Sequence, residues 1–203
     1  MFATNPFAAL SATVSPVTMQ TYVVAMIVLV LAGTLFDIVH KGSARYFFEN
    51  WRRSRGRAPT AVGGAELASI AMRTAVVDVL ASGEFCSARR RVAHLLTMYG
   101  FLAYVVSTVV MVFDFSTAGL WPRLWWLGGL MVCAGGYWFW FFIRADVAAE
   151  GRSPLRLMRA DLFVLSLLAS VTLGLVWAAL QANGSGGARV FFALYILATT
   201  VLF

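Results

Sequence analysis

Long apolar runs separated by short stretches that gather nearly all the charge constrain this chain more than any other feature. Met19 to Val39, His94 to Phe115, Leu124 to Ile143 and Leu162 to Ala182 each supply the roughly 20 apolar residues a helix needs to cross a hydrocarbon core about 30 Å thick. A fifth run begins near Val190 and reaches Phe203 without a polar stop. Backbone groups in lipid must bond within their own segment, so such runs fold as helices. The expected fold is all-α: a polytopic membrane helix bundle with five transmembrane helices. With 61% hydrophobic and 12% charged residues among 203, the chain carries about half the charge of an ordinary soluble domain. The same composition excludes disorder, which requires low hydrophobicity. Residues 1–18 read as a periplasmic or interfacial segment and 19–203 as a single bundle that includes a loop over 41–93. No Lys or Arg precedes the first run, so the start does not resemble a removable signal peptide.

The placement of charge orients the bundle. The segment from Lys41 to Arg91 holds Lys41, Arg45, Arg52, Arg53, Arg55, Arg57, Arg73, Arg89, Arg90 and Arg91. The third connection adds Arg144, Arg152, Arg156 and Arg159, and the opposite side has only Arg123 and Arg189. Loops rich in Lys and Arg stay in the cytoplasm. The N-terminus is therefore expected outside and the basic loop inside, in a bacterial inner membrane. Trp121, Trp125 and Trp126 would then form an outer aromatic anchor. The excess of positive charge, +7 overall, belongs to this pattern and not to nucleic-acid binding.

About fifty residues between the first two spans are too many for a bare connection. Arg45 to Arg57 mixes aromatic and basic residues, which suits a segment on an anionic membrane surface. Pro59 and Gly63–Gly64 break it, and Leu67, Ile70, Thr74, Val77 and Leu80 then recur at helical spacing, so two amphipathic cytoplasmic helices are expected. They tie the loop to the bilayer or, with Arg52, Arg53, Arg55, Arg57, Arg89, Arg90 and Arg91, form a docking surface for a soluble partner.

Few residues can carry chemistry. His40 and His94 are the two histidines, placed at the inner ends of spans one and two. They read either as interfacial imidazoles or as the axial pair of one haem b, which needs two imidazoles on facing helices. A quinone would sit near His40, His94 and Trp51. Asp37 pairs most simply with Lys41 four residues on, or else accepts from and orients the His40 ring. Asp114 reads as a solvated helix end, or else as a proton group beside a quinone. Gly128/Gly135 and Gly129/Gly136 each repeat at seven residues, which lets a neighbouring backbone approach, or leaves a groove for a flat ring. Cys86 and Cys133 lack any CxxC spacing, so the chain builds no iron–sulfur or zinc site, and no catalytic motif is present.

The run Asp78-Val-Leu-Ala-Ser-Gly-Glu-Phe-Cys-Ser-Ala-Arg-Arg-Arg-Val-Ala-His94-Leu-Leu-Thr-Met-Tyr-Gly-Phe101 resembles the nitrate-reductase-gamma-like membrane subunits, which include those of heterodisulfide reductases. In them a short "D-V-L" helix leads through a basic stretch into a span opening "H-L-L-x-x-Y/W-G-F". The resemblance implies haem b and electron exchange between quinone and cytoplasmic iron–sulfur or flavin partners, with His94 on the motif histidine. This chain has no second histidine in helix two and none in helix five, so a bis-histidine haem here would pair His94 with His40. Its small, histidine-poor layout is similar to the membrane anchors associated with dissimilatory adenylylsulfate reductase in sulfur oxidation. The function this implies is a non-catalytic anchor that docks a soluble flavin and iron–sulfur oxidoreductase and links it to the quinone pool. A purely structural anchor or assembly protein without a redox group, or a small transporter, are the other readings.

Overall fold

The computed structural model describes residues 2–57, 63–83, 85, 87–144, 157–158 and 161–202. Among them every regular element is helical. Four helices are long and apolar enough to cross a membrane. These are α2 (Pro16–His40), α5 (Ala88–Phe113), α6 (Leu120–Trp138), which continues through a π turn (Phe139–Ile143), and α7 (Asp161–Ala182). The shorter helices are α1 (Pro6–Leu10), α3 (Ser43–Arg57), α4 (Gly64–Arg73), which runs into a π turn (Thr74–Leu80), and α8 (Ala188–Leu202). The fifth apolar run thus forms a helix of 15 residues, about 22 Å long, short of a 30 Å core. Helix length thus supports four of the five expected crossings, and the fifth falls on the shorter α8.

The chain divides into two compact units, Met1–Val23 with Phe85–Phe203, and Val24–Glu84. In the larger unit the glycine repeats set the packing. The two pairs on α6 lie on different faces and serve different neighbours. A Cβ on Gly128 would stand 2.7 Å from the Gly100 carbonyl oxygen, one on Gly100 would stand 2.7 Å from the Gly128 carbonyl oxygen, and one on Gly135 would stand 2.7 Å from the Ala93 carbonyl oxygen, all contacts between α5 and α6. Gly129 and Gly136 instead receive the α7 side chains Leu175 and Leu168. Leucine packs against lipid as well as against leucine, so close approach over small residues, not apolarity, holds such helices together. The glycine faces of α6 are therefore packed by α5 and α7, and Gly136 alone of the four also borders open space.

The N-terminal segment is built into one end of this unit. Asn5, 7% exposed, accepts from the Phe7 N–H at 2.9 Å and donates to the Met111 carbonyl at 2.9 Å and to Thr117 Oγ1 at 3.1 Å. Gln181 Nε2 donates to the Pro6 carbonyl at 2.7 Å. Phe7 packs on Trp125 and Trp177, and Phe2 on Trp126. This overturns the expected aromatic anchor in part. Trp125 is fully buried, stacks on Tyr104 and donates Nε1–H to Thr108 Oγ1 at 3.0 Å, and Trp126 is 7% exposed. Asp114 ends α5 as expected of a solvated helix end: hydrogen bonds from Ser116 Oγ and N–H hold its carboxyl below the usual range.

In the Val24–Glu84 unit, Lys41 Nζ meets Asp37 Oδ1 at 2.8 Å, the pairing expected from their spacing. Pro59 falls outside the described residues.

Two glycines test the packing account. Gly128→Ala puts a methyl against backbone on α5 and is expected to cost about 1–3 kcal/mol, read as a lower Tm in detergent. Gly33→Ala on α2, with nothing within 4 Å, is expected to leave Tm unchanged or raise it.

Candidate functional site

At the end of the larger unit opposite Asn5, α5, α6 and α7 separate around a cavity of about 530 Å³. That volume lies in the range of ligand pockets. Arg90, His94 and Thr97 fall at i, i+4 and i+7 on α5, one stripe of a helix, and form its more polar wall. The stripe begins beside Phe85, whose ring lies 5.0 Å from that of His94. Leu167, Leu168, Phe163 and Val164 on α7 supply an apolar wall, and α6 adds Gly136 and Phe139.

The π turn after α6 shapes the third wall. Its i→i+5 hydrogen bonds bring Arg144, five positions beyond Phe139, toward the face of Phe139, whereas a continuous α-helix would carry it about 140° round. Both residues line the cavity. The Arg144 guanidinium lies 4.1 Å over the Trp140 ring and donates from Nε to Asp161 Oδ1 at 2.9 Å, with a second bond from Nη2 to Oδ2. The Met158 N–H donates to the same carboxylate at 2.7 Å. With side chains 7% and 11% exposed, this pair ties the end of α6 to the start of α7 away from water. Sequence reasoning counted Arg144 only as a loop cation and did not consider Asp161. A cation immediately after one apolar run and an anion immediately before the next was the signal available.

The expected site residues are distributed over both units. His94 and Arg90 reach the cavity, and Arg89 and Arg91 share the exposed first turn of α5. His40 ends α2 in the other unit, where its exposed ring stacks on Phe36 at 5.3 Å. Trp51 lies on α3 with its ring 6.3 Å from those of Phe47 and Phe48. Arg52 and Arg53 are exposed on the same helix, and the side chains of Arg55 and Arg57 lie outside the described residues. Among the described residues the cavity lining holds one imidazole and no thiolate or thioether. Taken alone it does not fit a haem with two axial protein ligands. Among the described residues no group of three His, Cys, Asp or Glu could hold a metal ion. No protein-family model, curated protein or solved structure matches the chain.

The ion pair has a double-mutant test. Arg144→Met takes away the carboxylate's charged partner and leaves it the Met158 N–H alone, so Tm is expected to fall, whereas Arg144→Met with Asp161→Leu recovers most of the loss. Unfolding of the three variants in detergent measures both.

Proposed function

We propose that this chain is the membrane anchor of a soluble redox enzyme and connects it to the quinone pool. The observation that carries the reading is the cavity: apolar walls, a ligand-sized volume, and Arg90, His94 and Arg144 at the end of the helices where the chain concentrates its arginines. A quinone ring suits such walls, and its carbonyl oxygens accept hydrogen bonds from imidazole and guanidinium. In this reading the arginine end faces the cytoplasm of a bacterial cell, the N-terminus lies outside, and α8 makes the fifth crossing. Arg52, Arg53, Arg55, Arg57, Arg89, Arg90 and Arg91 attract an acidic face of the partner. That partner resembles an adenylylsulfate reductase in carrying its own flavin and iron–sulfur clusters. Two electrons from those clusters and two protons reduce one quinone to quinol, so the anchor supplies a binding site and proximity.

Haem enters this reading only through a pairing of His94 with His40, where it would supply one-electron transfer. Among the described residues the cavity by itself offers one ligand, and the proposed route uses none.

The test is quinone reduction by the complex purified through the anchor. Activity with a short-chain quinone is expected, and His94→Ala is expected to raise KM about tenfold or more, the loss of one well-placed hydrogen bond. Reversing charge at Arg52, Arg53 and Arg55 is expected to lower partner recovery, more so as salt rises. A dithionite-reduced spectrum without an α-band matches the haem-free route, and an α-band lost in His94→Ala assigns haem to that residue. No reduction of benzoquinones or naphthoquinones leaves a structural anchor.

A further inference from the structure

Helix α3 begins where a membrane-spanning helix stops. α2 ends at His40, and only Lys41 and Gly42 precede Ser43. Gly42 takes φ +64, the left-handed conformation that ends helices, and its carbonyl accepts the Tyr46 N–H at 2.9 Å, so the chain turns at once into the next helix. Two residues reach at most about 7 Å. A headgroup layer is about 5–7 Å deep on each side of the hydrocarbon. With α2 leaving the core near its last turn, α3 starts inside that layer or at its edge.

The faces of α3 say how it lies there. Phe47, Phe48 and Trp51 fall within an arc of about 100°. Their rings contact one another and are 62%, 50% and 43% exposed. Centred about 150° away are Arg45, Glu49 and Arg53. Glu49 joins them, at 2.8 Å to Arg45 Nε and 3.8 Å to Arg53 Nη2. Arg52 sits on the flank next to Phe48. A helix standing off the membrane would leave three large rings in water, and one lying on the membrane buries them among acyl chains.

We propose that α3 lies in the plane of an anionic leaflet, with Phe47, Phe48 and Trp51 sunk at the acyl boundary and Arg52 at the level of the lipid phosphates. The occupant of the aromatic face is phospholipid, selected for negative charge by the arginines around it. The Arg45–Glu49–Arg53 ladder then faces water. This leaves the Arg45–Glu49–Arg53 face open to a soluble partner, with Arg52 on the boundary between the two faces. The assignment stands whether or not a redox partner is bound.

Nitroxide labels on the full chain test it, placed one at a time at positions 48, 51, 45 and 53 after replacement of Cys86 and Cys133 by serine. The chain is reconstituted without partner in bilayers of phosphatidylcholine with or without phosphatidylglycerol, and accessibility to oxygen and to a water-soluble nickel chelate is measured. With phosphatidylglycerol, labels at 48 and 51 are expected to favour oxygen over nickel several-fold and those at 45 and 53 the reverse. Arg52→Glu is expected to weaken that contrast. Equal nickel access at all four positions puts the face in water and overturns the proposal. Shielding of 48 and 51 from both reagents means that protein covers the face, which also overturns it. The same contrast without phosphatidylglycerol overturns the requirement for anionic lipid.

Discussion

The approach of α5 to α6 at Gly100 and Gly128 governs the larger unit. Inside a bilayer no water drives apolar side chains together, so two helices stay paired only if their backbones come close enough for dense contact. The missing Cβ atoms allow that, and the second glycine pair on α6 lets α7 side chains settle on the adjoining face. Seven residues beyond Gly135 and Gly136 the repeat lands on Phe142 and Ile143. The small-residue stripe has ended there, α6 has passed into its π turn, and the helices part around the cavity. One pattern of small residues thus accounts for both the tight centre and the open end.

The two ends of that unit are held by different means. Asn5 and Phe7 tie α5, α6 and α7 through uncharged hydrogen bonds and ring contacts. At the other end Asp161 and Arg144 form a buried charged clamp supported by the Trp140 ring. A buried ion pair gains little over an apolar one in stability, but it fixes geometry, because either charge alone is costly. That suits the end where a ligand site requires a defined wall.

Much of this was legible in the sequence wherever the signal was local or periodic. The four spans follow from apolar length, Asp37 with Lys41 from i,i+4 spacing, and the glycine contacts from the seven-residue repeat. What was hidden depends on partners far apart in the chain. Asn5 bonds to a carbonyl 106 residues away, and although its Asn-Pro pair marks a helix start, nothing near it marks that distant partner. Trp125 and Trp126 looked like interfacial anchors because their composition and place suit that role equally well, and only the N-terminal segment lying over them decides otherwise. The π turn that swings Arg144 into the cavity has no signature in residue type. His94 was singled out as one of two histidines, and the structure adds the cavity around it.

The functional account stands on one sidedness: docking arginines and quinone cavity both on the cytoplasmic face. Alkaline phosphatase fused after Ala118 and after Gly151 measures it directly, since the enzyme is active only outside the cytoplasm. The account predicts activity after Ala118 and none after Gly151. The reverse pattern would place the arginines and the cavity mouth on the outer face and contradict it.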